Sequence, residues 1–190
     1  MSRNYNAIHY IQENLAEYDK HFVDAVIKAF NTIHEKQEPD GCLSTSAILY
    51  IAAKKYGYDP ELCYGCCELE EKQFYHAWIE INNTVIDLSI YGNVNFSPFS
   101  LWNTKMDVPY IGSYSDSAIK YGKYTFDEDY RMSQISTVEG KSLEQYMDGL
   151  PQNAMWKLAC RYLDLALSKQ VIDELRSYCK DVGFNKASQY

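Results

Sequence analysis

Three residues of the sequence have the chemical types of a nucleophile, a base and a group that orients the base: Cys42, His76 and Asp87. A cysteine attacks carbonyl carbons as its thiolate, which a helix N-terminus and a nearby imidazolium both stabilise. An imidazole can then act as base and later as acid, and a carboxylate can hold it in one tautomer. These three residues could catalyse acyl transfer through a thioester, provided that the fold brings them together.

His76 and Asp87 are predicted to lie on the two strands of one β-hairpin. Residues 76–89, HAWIEINNTVIDLS, are rich in β-branched and aliphatic side chains, and Asn82-Asn83 tolerates the positive φ of a tight turn. The predicted cross-strand pairs are Ile81 with Thr84, Glu80 with Val85, Ile79 with Ile86 and Trp78 with Asp87. In this register His76 and Asp87 are diagonal neighbours, with Cα atoms roughly 7 to 8 Å apart, so their side chains can meet.

Cys42 is predicted to open a buried helix. Glu38-Pro39-Asp40-Gly41 ends the preceding helix, because proline disfavours a helical residue before it. Residues 42–55, CLSTSAILYIAAKK, carry few charges, have two lysines in the last turn and are followed by Gly57 as a stop signal. The backbone N–H of Cys42 would then point out of a helix N-terminus and could bind an oxyanion. A carboxylate at Asp40 would oppose the thiolate.

The rest of the chain is predicted to be mixed helix and strand. Helical spacing extends from Tyr5 to about Gln37, and strand composition covers Tyr64–Leu69 and Phe74–Asn95. Residues 96–141 have no sustained period and are predicted to be loop with at most one hairpin. A capping box at Ser142 opens the first of several C-terminal helices. We therefore divide the chain into residues 1–141, a catalytic domain with N-terminal helices, and residues 142–190, a helical extension packed on it.

Composition limits the class of partner and the location. The 190 residues are 46% hydrophobic, which suits one globular domain with a proper core. With 18 basic and 26 acidic residues the net charge is −8, so nucleic acid is not an expected partner. The sequence has neither a long apolar run nor a signal-peptide core at its start, so we expect a cytoplasmic protein that binds no membrane.

A cysteine-rich stretch raises the alternative of a zinc site. Cys63, Cys66 and Cys67, with His76 as a fourth ligand, have part of the required spacing. On a strand, however, Cys66 and Cys67 point to opposite faces and cannot share one metal ion without a bulge. Buried thiols explain the stretch better, and we expect neither a metal nor another cofactor.

Two stretches together resemble a known family. GCLSTSAILYIAAKKYGYDPELCYG followed by FYHAWIEINNTVIDLS is similar to the catalytic core of the transglutaminase-like branch of papain-fold cysteine enzymes, and most of all to the peptidases that remove leader peptides from lasso peptides. The resemblance covers about residues 40 to 90. It rests on a Cys-Leu pair that opens a helix, a later glycine, a His-Ala-Trp-Ile-Glu strand and an aspartate on the returning strand.

The resemblance implies a fold and a set of roles. The fold would be α+β and papain-like, with the catalytic helix packed on a small antiparallel sheet and additional helices at both ends. Cys42 would be the nucleophile, His76 the base and acid, and Asp87 its orienter. Gln37 could supply a second oxyanion donor through its side-chain amide. Trp78 could shield the His76–Asp87 hydrogen bond from water, or it could be an ordinary core aromatic.

The direction of the reaction stays open between three alternatives. An amine that resolves the acyl-enzyme would give an amide-forming transferase of peptide or polyamide natural-product biosynthesis, with an acyl thioester, carried by a carrier protein or free, as donor. Water would give a cysteine peptidase or amidase that cleaves a peptide such as a leader. A catalytically inactive binding protein of the same fold is the third. The sequence shows no obvious domain for gripping a leader peptide, which favours amide formation.

Overall fold

The computed structural model describes residues 3–39, 41–97, 102–103, 105–122, 138 and 140–186. Its helices are α1 (Arg3–Asn14), α2 (Lys20–Lys36), α3 (Cys42–Lys55), α4 (Ser89–Phe96), α5 (Leu143–Asp148), α6 (Ala154–Tyr162) and α7 (Lys169–Ser177). Its strands are β1 (Glu61–Leu69), β2 (Lys72–Ile81), β3 (Thr84–Asp87), β4 (Tyr110–Gly112) and β5 (Asn185–Lys186).

The strands form one sheet in the order β4-β3-β2-β1-β5. The ladders between β1 and β2, between β2 and β3 and between β3 and β4 are antiparallel. The short β5 runs parallel to β1 and comes from the far end of the chain. The predicted α+β class and its small, mainly antiparallel sheet are therefore confirmed.

The hairpin of β2 and β3 has the predicted register. The ladder joins Ile79 with Ile86, Glu80 with Val85 and Ile81 with Thr84, which are three of the four predicted pairs. The fourth predicted pair, Trp78 with Asp87, is not part of it. Asn82 and Asn83 have φ values of 51° and 63°. Two successive left-handed residues match the twist of a tight hairpin, which is why asparagines suit this turn.

Helix α3 lies in the middle of the molecule. It begins at Cys42 as predicted, and Thr45 to Ala53 are all buried. Gly57 follows its end with a φ of +84°, and the chain closes onto the carbonyl oxygens of the last turn. Because every side of this helix is covered, its nearly uncharged sequence is what the fold requires.

The stretch with predicted helical spacing, Tyr5 to about Gln37, forms two helices, α1 and α2. The break lies between α1 and α2, where Asp19 caps α2 by accepting a hydrogen bond from the His21 N–H at 2.8 Å. The Asp19 N–H donates to the Tyr58 hydroxyl, so this turn is fixed by a residue that lies far along the chain. An aspartate at a helix N-terminus stabilises such a break.

The prediction of strand up to Asn95 was wrong for its last part, because Ser89–Phe96 form α4. The side chain of Asp87 accepts a hydrogen bond from the Ile90 N–H at 3.1 Å, which starts the helix. Ile, Tyr, Val and Phe in this stretch favour strand in isolation, but packing in the folded chain overrides such a preference. Asp87 therefore both ends β3 and begins α4.

The predicted loop of residues 96–141 falls partly outside the described residues. Its described part contains β4 and a short 3₁₀ helix at Tyr114–Asp116. β4 extends the sheet beyond β3, pairing Ile86 with Ile111. The composition of this region, which has no sustained period, therefore gives no signal for β4.

The C-terminal helices share a core with the N-terminal ones. The predicted capping box at Ser142 is present, with reciprocal hydrogen bonds to Gln145. The side chains of one apolar cluster come from both predicted parts of the chain and include Phe22, Phe30, Ile48, Ile51, Leu143, Met147, Met155, Trp156 and Leu175. Among the helices of the described ranges, none has the length and apolarity needed to cross a bilayer.

Candidate active site

The fold brings His76 and Asp87 into direct contact. Nε2 of His76 lies 2.8 Å from Oδ1 of Asp87 and 2.8 Å from Oδ2. His76 is 2% exposed and Asp87 is 1% exposed. The diagonal contact expected from the hairpin register is thus made, out of reach of bulk water.

Three further hydrogen-bond donors reach the carboxylate of Asp87, one from Tyr121 and two from the start of α4. The Tyr121 hydroxyl donates to Oδ2 at 2.9 Å, and the Ser89 hydroxyl and the Ile90 N–H donate to Oδ1 at 3.1 Å each. A carboxylate has about four lone-pair sites, so its capacity is filled. Burial raises the pKa of Tyr121 well above its usual value, and neighbouring Asp87 adds to this, so the phenol stays a donor.

Burial and the neighbouring groups shift the pKa of His76 in opposite directions. Burial by itself would lower the pKa of His76, because it disfavours the charged ring. The adjacent Asp87 carboxylate and a side-chain hydrogen bond with Cys42 outweigh burial and raise the pKa of His76 to about 10. The imidazolium is therefore the favoured form at neutral pH.

Cys42 is the third member of this cluster. Its side chain is partly buried and shares a hydrogen bond with His76. One helical turn later, the Ser46 hydroxyl donates to the carbonyl oxygen of Ala77 at 2.9 Å, so α3 is fixed to β2 beside His76. No side chain caps α3 at Gly41, which leaves the first N–H groups of the helix directed at whatever binds in front of Cys42.

An apolar and aromatic wall lies next to Cys42. Cys42 packs in a cluster that also contains Leu43, Tyr64, Tyr75, Ala77, Val138, Tyr146 and Phe184. The ring of Phe184 meets Tyr64 and Tyr146 edge-on, with centroid distances of 6.1 and 5.6 Å. Burial raises the pKa of Tyr146 to about 12, and nearby Cys42 adds to this. The C-terminal part of the chain therefore contributes to the surroundings of the thiol.

Asn93 joins the cluster from α4, although sequence reasoning missed it. Its side-chain amide lies 3.2 Å from Nδ1 of His76. In the orientation that satisfies all its neighbours, its oxygen accepts from Nδ1–H and its nitrogen donates to the carbonyl oxygens of Ser89 and Pro39. The sequence predicts strand here, whereas the helix α4 turns Asn93 toward His76.

Gln37 lies at the surface and Trp78 in the core. Gln37 ends α2 in a left-handed conformation with an exposed side chain, which has no hydrogen bond to another described residue. Trp78 is fully buried, packs on the ring of Tyr121 at 4.7 Å between centroids and donates from Nε1 to the Tyr114 hydroxyl. The oxyanion role of Gln37 and the shielding role of Trp78 stay predictions. Asp40 lies outside the described residues.

The cysteine-rich strand is buried. Burial raises the pKa of Cys63 to about 12, with a contribution from Glu80, and raises the pKa of Cys67 well above its usual value. Within the ranges given above, no three His, Cys, Asp or Glu side chains come together as a set that could hold a metal ion. Cys63, Cys66 and Cys67 are each buried.

The comparison with family models agrees with this geometry. Residues 11–100 match the model of the transglutaminase-like superfamily. The matched residues run from α1 to just beyond α4, so they include Cys42, His76, Asp87 and Asn93. A match of this kind indicates cysteine-dependent acyl-transfer or peptidase chemistry in general. No curated protein and no solved structure matched the chain.

Proposed function

We propose that the protein is a cysteine acyltransferase that forms amides through a thioester on Cys42. The observation that carries this proposal is the buried contact of His76 with Asp87 on one side, together with its hydrogen bond to Cys42 at the start of α3. A nucleophile, a base and an orienter in mutual contact are the parts that acyl transfer requires. The match to the transglutaminase-like superfamily supports the same chemistry.

The first half of the reaction acylates the cysteine. Sγ of Cys42, as thiolate, attacks the carbonyl carbon of an acyl thioester, and the carbonyl oxygen takes the negative charge. The oxyanion is met by the Cys42 N–H at the N-terminus of α3, where backbone donors have no partner in the helix. The tetrahedral intermediate collapses, the bond from carbon to the leaving sulfur breaks, and the proton on His76 goes to that sulfur.

The second half transfers the acyl group to an amine. The amine nitrogen attacks the thioester carbon, its proton passes to His76, and the bond from carbon to Sγ of Cys42 breaks. The products are an amide and the original pair of thiolate and imidazolium. Asp87 holds the ring through Nε2 during both halves.

The surroundings of Cys42 support an amine rather than water as acceptor. Cys42 packs in one apolar and aromatic cluster with Tyr64, Tyr75, Tyr146 and Phe184, and an apolar site disfavours water as the acceptor. The acyl donor that suits such a wall is apolar or aromatic. A donor bound to a carrier protein in peptide or polyamide natural-product biosynthesis is the source we propose, acting in the cytoplasm.

The second candidate is a cysteine peptidase or amidase. The stretch His-Ala-Trp-Ile-Glu on β2, and the Cys-Leu pair that opens α3, resemble lasso leader peptidases and favour it. The acylation step is the same, with an amine leaving instead of a thiol, and water resolves the thioester.

The test is a mass measurement of the intact protein. The pure protein is incubated with a panel of N-acetylcysteamine thioesters, aromatic and aliphatic, and then with either a primary amine or buffer alone. We expect an adduct of the acyl mass on Cys42, faster for aromatic and apolar donors, and an amide product once the amine is added. Cys42→Ser is the control, because it leaves the site's shape while removing the thiolate.

The other outcomes distinguish the alternatives. Cleavage of a peptide, with no amine able to trap the acyl group, would replace the proposal by the peptidase. A protein that forms no adduct with any donor, and whose Cys42 is no more reactive than its buried cysteines, would be an inactive binding protein of the same fold.

A further inference from the structure

Asn93 connects three parts of the site through one amide group. Its oxygen accepts a hydrogen bond from Nδ1–H of His76 at 3.2 Å. Its nitrogen donates to the carbonyl oxygen of Ser89 at 3.2 Å, within α4, and to the carbonyl oxygen of Pro39. Pro39 belongs to the turn that immediately precedes Cys42. One side chain therefore ties the base to the turn that carries the nucleophile.

Gly92, the neighbour of Asn93, makes this connection possible. A Cβ atom at Gly92 would lie 2.2 Å from the carbonyl oxygen of Glu38 and 2.9 Å from Cγ2 of Ile33. Both distances are far inside van der Waals contact, and the first involves backbone, which cannot swing away as a side-chain end can. Helix α4 thus packs against the same turn at a distance that only glycine allows.

We propose that Gly92 and Asn93 are positioning residues of the acyl-transfer site: Gly92 lets α4 pack against the turn before Cys42, and Asn93 then fixes Nδ1–H of His76 relative to that turn. The proposal deepens the proposed function and rests on it. Nothing in the reaction scheme above requires these two residues, and neither is expected to touch the substrate.

The hydrogen bonds of the His76 ring to Asp87 and to the Asn93 amide fit the protonated form of the ring. Nε2 donates to Asp87 and Nδ1 donates to Asn93, so both ring nitrogens carry hydrogen and the ring is the imidazolium. A hydrogen bond made only to the charged form favours that form. The titratable groups that face the His76 ring are Cys42 and Asp87, and Tyr121 and Cys67 lie against Asp87.

The decisive experiment follows the imidazole itself. The ring signals of the four histidines are recorded by NMR as a function of pH, and that of His76 is identified by its loss in His76→Gln. In Asn93→Leu, which has a similar volume but no hydrogen bonds, we expect the midpoint of the His76 titration to move to lower pH by about one pH unit. Alkylation of Cys42 by iodoacetamide at pH 6.5 should fall roughly ten-fold.

Asn93→Asp separates the two functions of the amide. It keeps an oxygen that can accept from Nδ1–H but loses the donors to Pro39 and Ser89. We expect the His76 midpoint in this variant to stay at or above that of the wild type, while Cys42 alkylation falls because the turn is no longer held. A midpoint that drops as it does in Asn93→Leu would overturn the role of the amide oxygen.

Asn95→Leu is a matched control on the same helix. The amide of Asn95 also bonds to backbone, donating to the Met106 carbonyl oxygen at 2.9 Å and accepting from the Met106 N–H at 3.2 Å, but it does not contact His76. We expect its substitution to leave the His76 midpoint unchanged. Equal effects of Asn93→Leu and Asn95→Leu would mean that α4 is merely being loosened, which overturns the proposal.

Gly92→Ala tests the close packing of α4. We expect Cys42 alkylation to fall about ten-fold or more, because the turn must move away from α4. Gly183→Ala is the control, because a Cβ there meets open space. An unchanged alkylation rate in folded Gly92→Ala would overturn the role of Gly92. If Gly92→Ala does not fold, Asn93→Leu and Asn93→Asp still decide the proposal.

Failure of the proposed acyl transfer and failure of the positioning role would give different results. If no acyl donor ever modifies Cys42, but the His76 midpoint responds to Asn93 as described, then Asn93 positions the imidazolium of a protein that is not an acyltransferase. If acylation proceeds but none of the Asn93 variants alters the midpoint, only the positioning role is lost.

Discussion

His76 keeps its charge although it is buried. Removal from water disfavours the imidazolium, and the neighbouring Asp87 carboxylate more than offsets this. Asp87 can do so because three donors besides His76, from Tyr121, Ser89 and the Ile90 N–H, hold it in place. The carboxylate of Asp87 and the imidazolium of His76 are therefore already in position before a substrate binds.

Asp87→Asn should therefore shift the titration of His76. The carboxylate raises the pKa of His76, so its loss leaves burial as the dominant influence, and the NMR midpoint should fall from the alkaline range to near or below neutral pH. Cys42 acylation at pH 7.5 should drop by about 100-fold or more, as expected when a base loses its orienter. Asp59→Asn, at an exposed carboxylate bonded to Lys54, should alter neither.

A His76 midpoint that is unchanged in Asp87→Asn would contradict this account of the pair. The measurement does not depend on finding a substrate. It therefore tests the electrostatics of the site separately from its activity.

At the scale of the elements, α3 and β2 must be held in register for Cys42 to meet His76. The Ser46 hydroxyl makes this connection, because it lies one turn from Cys42 and donates to the carbonyl of Ala77, the residue after His76. Ser46 is 3% exposed, so water cannot replace the bond. This contact explains why α3 buries a serine at position 46.

Ser46→Ala should lower both stability and reactivity. The lost hydrogen bond leaves the Ala77 carbonyl oxygen with one buried acceptor site less well satisfied, so we expect the free energy of unfolding in urea to fall by about 1 to 2 kcal/mol. Ser177→Ala is the matched control, since its hydroxyl makes the same kind of bond, to the Glu174 carbonyl oxygen, at an exposed site. Its cost should be within about 0.5 kcal/mol. Equal losses in the two variants would contradict the claim that Ser46 is special.

The sequence predicted those elements whose signals are local. The Asn82-Asn83 turn sets the register of the hairpin, and that register brings His76 near Asp87. The start of α3 at Cys42 follows from the Pro39 and Gly41 signals just before it. These signals sit within a few residues of what they determine, so a single sequence contains them.

Contacts between distant segments could not be predicted in this way. Tyr121 meets Asp87 across 34 positions, and the break at Asp19 is fixed partly by Tyr58. Helix α4 has strand-like composition, and its helical form depends on contacts that the segment itself does not reveal, among them its packing against the turn near Glu38. Asn93 was missed for the same reason, because its role depends on α4 being a helix.

At the scale of the whole molecule, the C-terminal helices belong to the same apolar core as α2 and α3. Trp156 is fully buried, donates from Nε1 to Asp148 at 2.7 Å and lies under the guanidinium of Arg176 at 5.3 Å. It thereby joins α5, α6 and α7. Tyr146 of α5 and Phe184 also reach the wall beside Cys42, so this part of the chain is coupled to the site.

Trp156→Ala should destabilise the entire protein. Truncation of a fully buried tryptophan costs about 3 to 5 kcal/mol, which is a large share of the 5 to 15 kcal/mol typical of a domain. We expect one unfolding transition, followed by circular dichroism and by Cys42 labelling, that moves to lower temperature as a unit. Leu167→Ala, at a side chain that is 52% exposed, should leave the transition in place. Two separate transitions, with only one displaced, would show that residues 142–190 fold independently.

Activation of Cys42 by a buried imidazolium can be tested by the labelling rate of each cysteine with iodoacetamide at pH 6.5, read by peptide mass spectrometry. The buried cysteines at positions 63, 66, 67, 160 and 179 are internal references. We expect Cys42 to react at least ten-fold faster in the wild type than in His76→Gln, while the references stay slow in both. Equal Cys42 rates in the two proteins would contradict an assembled pair of thiolate and imidazolium, and with it the proposed acyltransferase.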